Sequence, residues 1–285
     1  LGEADRRALA GAARFLFGLP EDAAEEAGDG SLAAALAGSA LAEDALRFLT
    51  VMALVDGAID RAKIAAVLAH AAALGLHPRY VDEIAAAARD RLDEALADMT
   101  RATMESIAPA AGWRGGDVNA WLTPCRAAPD PALAARFHAL GGLPPGSFGR
   151  AFHDHFASNG YGFPGEPAAL NAAFSVPHDA AHVLAGYGVD PRGEILTSCF
   201  TAAMHKVLPM AGQVLPAIIS WHVGRRLNDS AKDAGLALDP HEFWRAWAAG
   251  AQAGVDTFDP AWDFWAHVAV PLDALRAQWR IAPAA

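Results

Sequence analysis

His178, Asp179 and His182, followed after eleven residues by Glu194, bring four metal-competent side chains into one short stretch of the chain. In a helix, His178 and His182 are one turn apart and leave the same face about 6 Å apart along the axis, so two imidazoles can share one ion. Asp179 flanks that face. At roughly 100° per residue the three groups span about a quarter of the circumference, a gap that a short carboxylate can bridge. The Gly-rich break from Gly186 to Pro191 reverses the chain, with Asp190 as N-cap and Pro191 at the first helical position. Glu194 therefore opens a second helix close to the turn.

A histidine pair at helical spacing is, by itself, more often a satisfied surface or core pair than a ligand set; Asp179 and Glu194 are what make it a site. Two other metal chemistries share parts of the pattern. Thermolysin-like zincins place a glutamate general base directly after the first histidine, where this chain has Asp179, one methylene shorter. HD-type phosphohydrolases need a further upstream histidine and a downstream aspartate, parts that His153, His155 and Asp256 could take.

The whole pattern, His-Asp-x-x-His then eleven residues and Glu, resembles the signature of the Coq4 family of ubiquinone-biosynthesis proteins. The surroundings are similar too: the run from Leu143 to Arg150, His182 to Tyr187, and Pro271 to Arg276. The resemblance covers roughly residues 130 to 282. It implies that His178, Asp179, His182 and Glu194 are ligands to zinc, with an open coordination position facing a lipid-like substrate. It also implies action on a prenylated quinone precursor, by removal of a ring carboxylate and hydroxylation at that carbon. Two His and two carboxylates suit zinc first, with Mn, Fe or Mg as alternatives. Zinc supplies no redox chemistry, so an oxidative decarboxylation needs iron or a substrate that reacts with oxygen itself. The alternative from another class is a lipid-binding or scaffold protein that presents a hydrophobic intermediate to biosynthetic partner enzymes, with a structural metal. A protein-filled coordination shell would favour that reading, and an open position an enzyme.

Ser198, Thr201 and His205 follow Glu194 at four, seven and eleven residues, one continuous stripe down the same helix. They are the expected substrate contacts beneath the ion. Arg225 and Arg226 could bind an anionic head group but are read as surface charge. Trp244, Trp247, Trp262 and Trp265 are expected in the core or in dimer contacts, and a homo-oligomer is expected.

The elements that must position these groups are helical. Apolar residues recur at three and four throughout, Ala is abundant and no alternating strand run appears, so the expected class is all-α. Helices are predicted over 4–18, 42–56, 59–74 and, as one long element, 78–107. The stretch from Val51 to Asp60, with Ala73 to Leu76, resembles the TerB-like helical domain, whose acidic residues can bind metal. Here Asp56 and Asp60 read as turn and N-cap residues. Between about 108 and 136 glycines and prolines, with Trp113 and Trp121, mark a linker that packs on something. The expected division is an N-terminal helical domain over 1–110 (TerB-like over about 42–107), a linker over 111–136 and the metal-binding domain over 137–285.

At 285 residues and 53% hydrophobic, with a formal net charge of -11, the chain can bury one large core or two smaller ones and is poorly suited to nucleic acid or an anionic membrane. Any membrane contact would be peripheral and apolar, since no uninterrupted apolar span of transmembrane length occurs. The acidic start is unlike a transit or signal peptide, and a cytoplasmic location is expected. Cys125 and Cys199 lack zinc-finger or redox spacing and are read as reduced thiols.

Overall fold

In a computed structural model, residues 2–23, 32–111, 113–123, 129–225, 227 and 235–284 are described, and among them the chain is all-α with no strand. The first half comprises α1 (Glu3–Phe17), α2 (Leu32–Leu36), α3 (Leu41–Leu54), α4 (Arg61–Leu74), α5 (Arg79–Ala88) and α6 (Leu92–Ala111). A short α7 (Val118–Leu122) leads to α8 (Pro131–Ala139), α9 (Phe148–Asn159), α10 (Ala172–Ala185) and α11 (Pro191–His205). A π-helical segment (Pro209–Val214) runs into α12 (Leu215–Trp221), and α13 (Pro240–Gln252) and α14 (Leu272–Trp279) follow.

Local chemistry explains most boundaries. Asp60 caps α4 by accepting from the Ala62 and Lys63 amides, and Asp56 pairs with Lys63, so both aspartates act as turn and cap residues. The helix expected over 78–107 is instead two. Asp90 takes a left-handed φ of 61° and the Arg91 amide bonds back to the Ala86 carbonyl, ending α5 before α6 begins. Aspartate tolerates that conformation better than most residues, so the break needs neither Gly nor Pro.

One apolar core runs through both halves of the chain, from Leu46, Leu54 and Ile84 to Phe148, Phe200, Ile218 and Phe243. Its centre is α11, which packs on α13, α10 and the π-helical segment, while α1 covers the outer side of α13. The contacts are close: a Cβ at Gly250 would lie 2.1 Å from the Phe200 carbonyl oxygen, and one at Gly11 would lie 2.8 Å from the His241 Cα. Residues 111–136 interrupt the sequence pattern, but the core does not stop there. The described part of that segment packs, as its tryptophans suggest. Trp113, Val118 and Trp121 join Phe174 against Met104, Ile107 and Phe258.

Trp244 is buried and meets Phe48 of α3 across a ring distance of 5.4 Å. Trp265 lies outside any α-helix, with the Arg136 guanidinium 4.0 Å over its ring. Cys199 is buried, its thiol donating to the Phe243 carbonyl, whereas Cys125 and Arg226 lie outside the described residues. No helix among the described residues is long and apolar enough to cross a membrane.

Candidate metal centre

The α10 to α11 hairpin builds the centre. Asn171 caps α10 and Gly186 ends it at φ 76°, a conformation that suits glycine. Asp190 then caps α11 by accepting from the Gly193 amide, with Pro191 in the first turn, as the spacing predicts. The turn folds back so tightly that a Cβ at Gly193 would come 1.9 Å from the Gly188 carbonyl oxygen. Only glycine fits beside Glu194. Pro177 sits inside α10 immediately before His178, and its carbonyl accepts from the Thr257 hydroxyl.

This hairpin gathers His178, His182 and Glu194, whose ligand atoms all lie within 4.8 Å of one another, into a group that could hold a metal ion. Nε2 of His178 and Nε2 of His182 are 3.2 Å apart, and Glu194 Oε2 is 3.5 Å from the first and 3.7 Å from the second. An ion equidistant from the corners of such a triangle sits no less than about 2.0 Å from each, in the plane of the donors, and about 2.1 Å from each once lifted out of that plane as a tetrahedron requires, both within the range of zinc bonds to nitrogen or carboxylate oxygen. Tetrahedral bonds of about 2.05 Å hold neighbouring donors about 3.3 Å apart, whereas octahedral bonds of about 2.15 Å bring them to about 3.0 Å. The wider triangle suits a four-coordinate ion.

The second ring nitrogen of His182 supports the same fit. Nδ1 lies 3.2 Å from the Tyr187 carbonyl and 3.0 Å from the Thr197 hydroxyl. A carbonyl only accepts, so Nδ1 carries the proton and Nε2 of the neutral ring presents its lone pair to the ion. His178 lies flat on Phe174, with ring centroids 5.2 Å apart and planes at 14°. Burial alone would push Glu194 up, but the imidazoles of His178 and His182 beside it outweigh that and hold the carboxyl far below the usual range. In turn the Glu194 carboxylate overcomes the effect of burial on His178 and raises it.

Asp179 is not in the group. Its Oδ1 lies 2.9 Å from His155 Nε2 on α9. On the helix wheel Asp179 projects about 100° from His178 and about 60° from His182, enough to turn it from α11 toward α9. The stripe below Glu194 also divides. Ser198 is half-buried; Thr201 is fully buried with no partner for its hydroxyl. His205 spends both ring nitrogens on the fold: Nδ1 meets Asp256 Oδ2 at 2.8 Å and Nε2 donates to the Ser106 carbonyl at 2.7 Å. No ring nitrogen remains for a substrate. Of the HD-type set, His155 does meet Asp179, whereas Asp256 is engaged by His205 and His153 by Asp154.

The chain spacing does not reveal four neighbours of the centre. Thr197 and His155 touch its residues directly, Tyr161 stands at the surface within the fields of Glu194 and Asp179, and Phe174 links His178 to the aromatic cluster of Trp113 and Trp121. Thr197 had a sequence signal, being three residues after Glu194 and so on its face, and His155 stood out only as one part of an HD-type set. No protein-family model and no curated protein matches this chain.

Proposed function

We propose that this protein is a Coq4-like metalloenzyme with a zinc ion on His178, His182 and Glu194, acting on a hydrophobic, prenylated quinone-precursor-like acid. The observation that carries the reading is the donor triangle: three protein ligands at tetrahedral spacing, the composition of catalytic zinc sites rather than structural ones. A non-catalytic scaffold with a structural ion would call for a fourth protein donor, and Asp179 is engaged by His155 instead. When bound, the ion supplies Lewis-acid activation of a substrate carboxylate or carbonyl, or of water.

The chain's own groups do the rest. Tyr187 and Thr197 orient His182, Phe174 fixes the plane of His178, and beyond it an apolar and aromatic wall of the partly buried Trp113, Val118 and Trp121 packs on the buried Met104 and Ile107. Such a wall suits the greasy body of an aromatic acid, whose burial contributes about 25 cal/mol per Å². A short phosphoester has no use for it.

Elemental analysis tests the centre first: about one divalent ion per chain is expected, lost on His182→Ala. Calorimetry on the metal-loaded protein then tests the ligand class. Binding of a prenylated hydroxybenzoate, and none of a short phosphoester, is expected. Unchanged metal content in the His182 variant, or the reverse ligand preference, overturns the reading.

A further inference from the structure

Asp179 belongs to the four-residue pattern but stands outside the group that could hold the ion, and what engages it is on α9. The side chains of His155 and Asp179 are 12% and 8% exposed, so the contact is made almost out of water. The His155 ring stacks on that of His182 at 5.5 Å and 29°, and meets Phe156 and Tyr161 edge-on at 5.9 and 6.1 Å. Packed on several sides, the imidazole has its orientation set, with Nε2 aimed at the carboxylate. A nitrogen so placed donates, and a charge-assisted bond in a poorly solvated site is stronger than a neutral one at the surface.

A carboxylate beside a divalent ion can bind it or be held from it. We propose that His155 is a positioning residue that holds Asp179 off the ion, keeping the fourth coordination position open for an oxygen of a carboxylate or carbonyl ligand. This rests on the metal-centre reading above. Two features favour it over an arrangement in which Asp179 ligates through Oδ2 while His155 supports Oδ1. Asp179 leaves the helix on the α9 side of the two histidines, and neither of its oxygens belongs to the group of ligand atoms that His178, His182 and Glu194 bring together. The stack on His182 also explains why the device uses a ring: the group that restrains Asp179 packs against a ligand of the same ion.

The test uses the full chain stripped with a chelator and reloaded with Co(II), whose visible spectrum reports coordination number. The wild-type protein should show the intense bands of a four-coordinate ion and respond to azide. His155→Phe keeps the ring stack but lacks the donor; it should give the weaker bands of a higher-coordinate ion, lose the azide response and release cobalt at least about tenfold more slowly as Asp179 joins the shell. Adding Asp179→Ala to that variant should restore the wild-type spectrum. If His155→Phe fails to fold by circular dichroism, Asp179→Ala alone decides, since a withheld carboxylate can be removed with spectrum and release rate unchanged. The proposal is overturned if the wild-type spectrum is already that of a higher-coordinate, azide-silent ion, or if Asp179→Ala changes it. It also falls if His155→Phe leaves spectrum and azide response as they were, or speeds cobalt release. A chain that takes up no cobalt overturns the metal-centre reading and this one with it; cobalt uptake with any of the other contrary results overturns this one alone.

Discussion

The carbonyl of Tyr187 lies 3.2 Å from Nδ1 of His182, five residues earlier, so the turn that ends α10 also sets which nitrogen of its last histidine faces His178 and Glu194. Backbone and ligand chemistry are joined in one contact. The neighbouring Thr197 hydroxyl, at 3.0 Å from the same nitrogen, shares that task from α11. Thr197→Val should keep the fold and weaken metal binding about tenfold, the lower end of what loss of an outer-shell partner costs. Competition titration with a chromophoric chelator measures it, and an affinity equal to wild type would remove Thr197 from the centre.

Gly193 couples the turn to Glu194 by closeness of approach. A Cβ there meets the Gly188 carbonyl at 1.9 Å, and neither backbone segment can yield without shifting the first turn of α11. Gly193→Ala should therefore cost about 2 kcal/mol or more and lower the metal content together with the melting temperature. Full metal occupancy at an unchanged melting temperature would show that the hairpin has another way to close.

Much of this hairpin is legible in the chain, because Asp190, Pro191 and Gly186 act through local backbone chemistry and the His178 to His182 spacing is a property of any helix. The α5 to α6 break is not legible, since a left-handed Asp90 carries no Gly or Pro signal. Nor is the fate of Asp179 or His205. Asp179 is claimed by a histidine 24 residues away, and His205 by a carbonyl 99 residues away, so their roles are decided by packing that no spacing rule contains. Periodicity put Asp179 near enough to the two histidines to count; tertiary contact turned it the other way.

His205 is accordingly expected to matter for stability and not for the metal. Its two bonds tie the end of α11 to α6 and to the segment carrying Asp256. His205→Ala would leave the Ser106 carbonyl without that partner and should cost about 2–3 kcal/mol in urea unfolding, with metal stoichiometry unchanged in the folded protein. Loss of the ion in a variant that remains folded would instead place His205 in the function of the centre.

A second buried group makes stability fall with pH. Burial, and then the Asp98 carboxylate beside it, push Glu83 up to about 8, and its side chain is only 1% exposed. The folded state thus holds a proton that the unfolded chain releases near its ordinary value of 4.5. Between those values the native state binds more protons, so stability decreases as pH rises from 4.5 toward 8 and levels off above, by on the order of a few kcal/mol in total. Raised by Asp256 and the Ser106 carbonyl against the effect of burial, His205 adds a loss of the same sign as pH climbs past 6.5 through its folded value. Glu83→Gln should be near neutral at pH 5 and stabilising at pH 8; parallel pH profiles for the two proteins would refute the assignment.

Thr201 offers the sharpest separation between fold and ligand. Its side chain is 0% exposed and its hydroxyl has no hydrogen-bond partner, an arrangement that costs about 1 kcal/mol or more in a core. Valine has nearly the same shape without the hydroxyl, so Thr201→Val should leave the free protein as stable as wild type or about 1 kcal/mol more stable. A larger residue such as tryptophan would overfill the position and report only on packing. Two measurements on the valine variant then divide the interpretations. If the hydroxyl serves a bound ligand, affinity for a prenylated hydroxybenzoate drops several-fold while metal content and melting temperature hold. If affinity is unchanged and stability rises, Thr201 is an unsatisfied core hydroxyl and the ligand surface ends higher, at Ser198. A fall in stability would contradict both, and would mean that the hydroxyl has a partner in the folded chain.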